Sequence, residues 1–119
     1  MIKLFHLSTC STCQRIIKEL NLPESAVLQD IKQKNVNEKD IEAMKAAVGS
    51  YEALFSKRAM KFRAQGLHEQ ELSEADYKRL ILEEYTFLKR PVLFVNEQVF
   101  VGNSKKVVAS AKAVIQQVS

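Results

Sequence analysis

Apolar side chains gather in short runs near both ends of the chain and recur at helical spacing through its middle. Ile2-Lys3-Leu4-Phe5-His6-Leu7 predicts a buried strand. Gln14 to Leu20 continues as a helix, with Ile16, Ile17 and Leu20 at core spacing. Asn21-Leu22-Pro23 ends that helix, because proline cannot extend it and restricts the residue before it. Ala26-Val27-Leu28-Gln29-Asp30-Ile31 predicts a second strand. Residues 1 to 31 are therefore a β-α-β unit, whose strands run parallel with a right-handed crossover.

From Asn37 to about Arg90 the strand signal nearly vanishes. Asn37-Glu38-Lys39-Asp40 supplies an N-cap and an acidic first turn. Ile41, Met44, Ala47 and Val48 follow at helical spacing, and Gly49 stops the helix. Ser50 can cap the next helix, in which Tyr51, Leu54 and Phe55 form a short apolar face. Ser56 to Gln65 is basic and ambiguous, and Gly66 breaks it. Ser73-Glu74-Ala75-Asp76 has the S-x-x-D character of a capped start, and Tyr77, Leu80, Ile81 and Glu84-Tyr85 carry that helix onward.

The last third returns to sheet. Val92-Leu93-Phe94-Val95 and Gln98-Val99-Phe100-Val101 flank a turn at Asn96-Glu97 and predict a hairpin. Gly102-Asn103-Ser104 then caps a helix through Val107, Val108, Ala111, Val114 and Ile115. The sum is β-α-β, a helical insertion over about 37–89, then β-β-α. That order predicts an α/β chain with a thioredoxin-like, four-stranded mixed sheet in one domain, residues 1–119.

At 119 residues the chain is long enough to bury a core without staples. It is 46% hydrophobic and 27% charged, with three Gly and two Pro, which excludes long disordered segments. No run of about 18 apolar residues exists, so no membrane span is expected. The start lacks the features of a signal peptide, so a cytoplasmic location is expected; a monomer is expected separately. The net charge of +4 is scattered over many lysines, compatible with an anionic substrate or with an ordinary solvated surface.

Composition changes the picture at one place. The only two cysteines stand at Cys10-Ser11-Thr12-Cys13, directly after the first strand. Ser8 and Thr9 can cap a helix starting there, which places both thiols on its first turn. The positive end of a helix favours thiolate at Cys10, and Cys13, one turn on, can resolve a disulfide formed there. Backbone N–H groups of Ser11, Thr12 and Cys13 would face an anion. Two other readings stay open: a pair of inert, packed thiols, and two ligands of a zinc site, for which only His6 and His68 remain as partners. His6 is either a packed strand residue or a cation near the thiol. Lys57, Arg58, Lys61 and Arg63 read as a solvated basic face or as a phosphate-binding or acidic-partner patch. They lack the interleaved aromatics of a single-strand nucleic-acid surface, so no direct nucleic-acid contact is expected. No phosphate-binding or dinucleotide-binding glycine motif occurs, and no bound cofactor is expected.

The chain resembles the arsenate reductase and Spx-like group of thioredoxin-like proteins. The resemblance rests on Phe5-His6-x-x-x-Cys10-x-x-Cys13, Gly49-Ser50-Tyr51-Glu52-Ala53-Leu54-Phe55, Arg63-Ala64-Gln65-Gly66-Leu67, Leu88-Lys89-Arg90-Pro91-Val92 and Val101-Gly102. It implies Cys10 as nucleophile, Arg90 beside it, and a cis Pro91 packed against the thiols. It also implies a small oxyanion or thiol substrate, with glutathione or a thioredoxin or glutaredoxin system as electron donor. The sequence departs from the three-arginine pattern of arsenate reductases. Ser56 stands where a second arginine would align, with Arg58 two residues on, and Gly102 stands at the third position, near Lys105 and Lys106. A second thiol at Cys13 is more like Spx-like members, which regulate by contacting RNA polymerase.

Overall fold

A computed structural model of the chain describes residues 1–118. It divides into two compact units. One comprises Met1–Lys34 with the chain from Arg90 onward, and the other is Asn35–Lys89.

The first unit is a four-stranded sheet with two helices. Its elements are β1 (Ile2–His6), α1 (Ser11–Leu20), β2 (Val27–Asp30), β3 (Val92–Val95), β4 (Gln98–Val101) and α5 (Lys105–Val118). The strand order is β2-β1-β3-β4. β1 pairs parallel with β2, Lys3 opposite Val27 and His6 opposite Asp30. β1 pairs antiparallel with β3, and β3 with β4. This is the mixed sheet the pattern predicts, with the hairpin bounds as read. The first two strands are each shorter than the apolar runs: Leu7 and Ile31 lie beyond the pairing, where the chain turns toward the loops that follow.

Alternation along the strands decides which face is covered by helices. Ile2 and Leu4 of β1 and Leu93 and Val95 of β3 form one buried cluster with Ile16 and Leu20 of α1 and Val108, Ala111 and Ile115 of α5. Leu4 is fully buried at 0% exposure. Each such side chain contributes about 1.5–3 kcal/mol by leaving water, against roughly 0–1 for a surface ion pair, so this cluster rather than any charge pair holds α1 on the sheet. On the other face Phe5 and Phe94 meet edge to face, their centroids 5.5 Å apart.

In the second unit α2 (Glu38–Val48) starts at a reciprocal capping box of Asn37 and Asp40 and stops at Gly49, whose φ of 95° suits a residue without Cβ. α3 is only Met60–Ala64. α4 (Glu74–Glu83) starts at a second capping box, Ser73 with Asp76. Three departures from the sequence reading follow from local hydrogen bonding. Tyr51 to Phe55 is not a helix but one 3-10 turn, Glu52–Leu54, although the Ser50 hydroxyl does accept from the Ala53 N–H at 3.1 Å. α4 ends at Glu83, because Glu84 is extended and its carboxylate accepts from the Thr86 N–H, opening a new 3-10 turn at Tyr85–Phe87. The segment also contains a single β-bridge, Phe55 opposite Leu88.

Phe55 centres this unit's core. Its ring contacts Phe62, Tyr77 and Phe87 at 5.7, 5.0 and 4.9 Å. Phe55, Phe62, Tyr77 and Phe87 thus pack as one aromatic cluster. A surface network joins α2 to α4: Lys78 bridges to Glu38 at 2.9 Å and Glu42 at 3.0 Å, and the Tyr51 hydroxyl donates to Glu42.

Candidate active site

The two thiols stand where β1 hands over to α1. The Cys10 N–H donates to the Leu7 carbonyl at 3.0 Å, closing a tight turn through Ser8 and Thr9. The helix begins at Ser11 with Cys10 itself as N-cap residue. This corrects the expectation that Ser8 or Thr9 caps it: both are spent in the turn that delivers the chain to the helix start. No regular side-chain cap bond forms at Cys10, and the first turn carries no acidic residue. The positive end of α1 is therefore left unneutralised beside the sulfur. Ser11 and Thr12 are the first two helical residues, so their N–H groups have no acceptor within the helix.

Both cysteines are reduced; Cys10 is half-buried and Cys13 fully buried. Their environments push them apart. Burial is the largest single influence on Cys10 and raises its pKa. The Cys13 N–H, the Cys13 thiol, and the hydrogen bond and charge of Arg90 together outweigh it, and the Cys10 pKa lies below that of a free thiol. Cys13 is pushed up to about 11, first by burial and then by its hydrogen bond to Cys10 and the charge there; the Leu7 N–H and Arg90 oppose the rise. The outcome is an ordered pair: Cys10 ionises before Cys13.

Arg90 reaches this pair from the loop before β3, half-buried, across a cis peptide to Pro91. Pro91 is buried. Its carbonyl accepts from the Gly102 N–H at 2.9 Å, and its ring lines a small apolar cavity of about 10 Å³ with Leu4, Ile16, Leu93, Phe100 and Val108. The cis geometry is as the resemblance implied. His6 lies at the end of β1, 9% exposed, with no hydrogen-bond partner for Nδ1 among the described residues. Arg58 belongs to the second unit, exposed in the turn before α3. In the same stretch Lys57 pairs with Glu52 and Lys61 with Glu84, so half of the basic cluster is neutralised locally. Among the described residues no three His, Cys, Asp or Glu side chains gather as a metal ion would require.

The sequence reading missed two polar groups beside the thiol turn. Ser8 holds the Asp30 carboxyl below the usual carboxylate range, and the Gln14 amide donates to the Ser8 carbonyl at 2.9 Å. The signal was available. In a β-α-β unit the ends of the two strands are neighbours, so a carboxylate ending the second faces the loop leaving the first.

The ArsC family matches the chain over residues 5–111. This chain belongs to the ArsC family. No curated protein sequence matches it. Solved structures share its fold. The YFFB protein superposes with a TM-score of 0.78 at 21% identity, covering 93% of this chain and 98% of the other. Arsenate reductase from Vibrio cholerae gives 0.78 at 15% identity, covering 92% and 96%. An arsenate reductase (ArsC) related protein from Brucella melitensis gives 0.67 at 17% identity, covering 92% of each chain. The ArsC match begins at Phe5, so it takes in the thiol pair, Arg90 and Pro91 together. No helix among the described residues is long and apolar enough to cross a membrane.

Proposed function

We propose that this ArsC-family chain is a thiol-dependent oxidoreductase in which Cys10 attacks and Cys13 resolves. The observation that carries this reading is the split between the two thiols, one lowered beside Arg90 and a helix start, the other held protonated against it. The Cys10 thiolate attacks one sulfur of a substrate disulfide, forming a mixed disulfide and expelling the other half as a thiolate. Cys13 gives up its proton and attacks the Cys10 sulfur. A Cys10–Cys13 disulfide forms, and the second half of the substrate leaves and takes the proton. Two electrons have passed to the substrate. A thioredoxin or glutaredoxin system, or glutathione, returns them.

Ser11 and Thr12 N–H groups and Arg90 stabilise the leaving thiolate, or an oxyanion seated there. His6 and Pro91 shape the floor of this site. The chain acts as one domain and one copy suffices, since every group named comes from it. With one arginine beside the thiols, a disulfide or mixed disulfide fits better than a fully charged oxyanion such as arsenate. The Cys10/Cys13 pair also supports a second reading, a redox-switched regulator whose partner is RNA polymerase.

The test is turnover of a mixed disulfide of glutathione, and separately of arsenate, with each donor system. Cys10→Ser is expected to abolish turnover. Cys13→Ser is expected to trap the substrate on Cys10 as an adduct visible by intact mass, with turnover down by about tenfold or more. Full activity in Cys10→Ser would end the enzymatic reading. Inactivity of the wild type with every substrate, combined with retention on immobilised RNA polymerase in one redox state, would favour the regulator.

A further inference from the structure

The sheet of the first unit ends at β2, whose outer edge meets no other strand. Few large apolar side chains among the described residues are left open, and two of them, Val27 and Leu28, stand side by side in β2, each 49% exposed. No Lys or Pro interrupts Val27–Asp30, although such residues commonly protect an open edge from pairing. The Leu28 side chain lies on the face that α1 covers. It is opposite Leu4 in the register, and with Ile17, Leu22 and Ala26 it lines an open groove of about 370 Å³.

One bond gives the direction of the backbone groups. The Ile31 N–H donates to the His6 carbonyl at 2.9 Å, so Ile31 faces β1. Strand alternation then turns the Gln29 and Val27 backbone toward β1 and aims that of Leu28 and Asp30 outward. The Asp30 carbonyl is taken by the Gln33 and Lys34 N–H groups, and the Ala26 N–H by the Pro23 carbonyl. What remains at the edge is the N–H and carbonyl of Leu28 in the centre, with a donor at Asp30 on one side and an acceptor at Ala26 on the other.

That set is its own complement. A hydrogen-bonded antiparallel pair exchanges both N–H···O bonds, so Leu28 can pair with Leu28 of a second copy. The Asp30 N–H of each copy then meets the Ala26 carbonyl of the other. The charges agree with the same centre. Glu24 lies four residues before Leu28 and Lys32 four after it. Both are exposed, and neither enters an ion pair among the described residues. A two-fold axis at Leu28 sets Glu24 of each copy against Lys32 of the other, opposite charges at both ends. The far edge, β4, carries no charge in Gln98–Val101, and a head-to-tail contact of β2 with β4 does not close on itself.

We propose that β2 is a self-association edge: a second copy of this chain adds its own β2 antiparallel about a two-fold axis at Leu28, joining two four-stranded sheets into one of eight strands. The two Leu28 side chains meet on the helix face and close the groove beside each α1. This association is separate from the chemistry at Cys10, for which one copy suffices.

The test is sedimentation velocity of the full chain under reductant, which keeps the thiols from cross-linking copies, from about 5 to 500 μM at neutral pH. Wild type is expected to pass from the mass of one chain to that of two. Leu28→Pro removes the central outward donor while leaving the bonds to β1, and is expected to abolish the dimer. Lys32→Glu sets like charges against each other at both ends and is expected to weaken it about tenfold. Glu24→Lys combined with Lys32→Glu restores opposite charges and is expected to recover the wild-type affinity. These two positions are exposed, so the charge variants report on the pairing even where Leu28→Pro folds poorly. Wild type at the mass of one chain throughout, or a mass that climbs past two, overturns the proposal. So does a folded Leu28→Pro or a Lys32→Glu that dimerises as tightly as wild type, or a double variant no tighter than Lys32→Glu.

Discussion

Replacing Arg90 with Gln is the most direct test of the charge arrangement at the thiols. The change keeps a planar group with N–H donors but removes the positive charge. Arg90 supplies two of the influences that hold Cys10 low, a hydrogen bond and an electrostatic one. For a pair about 4 Å apart the screened, water-like limit is ~1 kcal/mol, equivalent to ~0.7 of a pKa unit, and less screened surroundings give several times more. Cys10 is only half-buried, so the lower part of that range applies. We expect Arg90→Gln to raise the Cys10 midpoint by about 0.5–1.5 units, which cuts the thiolate fraction at neutral pH by roughly threefold to thirtyfold. Arg90→Lys keeps the charge and loses the rigid fork, so it should recover part of the shift. The assay is alkylation rate against pH, with circular dichroism to confirm that each variant is folded. A midpoint in Arg90→Gln within about 0.2 of wild type would refute the claim that the guanidinium holds the thiolate, because no other cation acts on Cys10 with comparable directness.

Two further outcomes follow from the same electrostatics. In Cys10→Ser the charge and hydrogen bond that hold Cys13 protonated are weakened while its burial remains. Its alkylation midpoint should fall from about 11 yet stay above the free-cysteine value of about 8.5; no fall at all would mean that burial alone sets it. The second concerns acid. Asp76 is held low first by the Ser73 N–H, Glu42 first by the Tyr51 hydroxyl and Glu52 first by Lys57. Groups depressed in the folded state contribute stability that is complete above their unfolded values, about pH 4, and is lost as pH falls through the lowered ones. Melting temperature should therefore hold steady from pH 7 to about 5 and drop between about pH 4 and 2; a flat profile down to pH 2 would show that these carboxylates are not coupled to folding.

The chain's fold was readable where a local rule and the tertiary arrangement agree. Asn37 with Asp40 and Ser73 with Asp76 announce their helices, and both boxes form. Val92 to Val101 announces its hairpin because two short apolar runs around a two-residue turn leave little choice of register. Reading failed where competing local partners decide. Glu84 continues the helical spacing of α4, but its carboxylate finds Thr86 and the helix ends. Ser8 and Thr9 have the chemistry of caps, yet the turn that the Cys10 N–H closes consumes them. At the candidate site the residues named by motif could be read, since two cysteines three apart after a strand leave few arrangements. Asp30 belongs to no motif, and only the parallel pairing of the first two strands, which sets it opposite His6, gives its place away.

The order of the two thiols has one physical origin. Both sulfurs lie on the first turn of α1, so the helix by itself favours thiolate at either. Depth breaks the tie. Cys13 points into the protein, where losing water costs the charged form most, and Cys10 stays near the surface, where Arg90 and the Cys13 N–H can reach it. Once Cys10 is the anion, its charge keeps Cys13 neutral and the Cys13 thiol donates back to it, so each state reinforces the other. Under the mechanism proposed above, the arrangement also reverses on reaction. When Cys10 is consumed in a mixed disulfide its charge disappears, and with it the hydrogen-bonding and electrostatic parts of what holds the proton on Cys13. The influence of Arg90 on Cys13, which already favours the anion, then meets only burial. In that proposed sequence, attack at one sulfur readies the other, with no separate base needed to decide which thiol acts first.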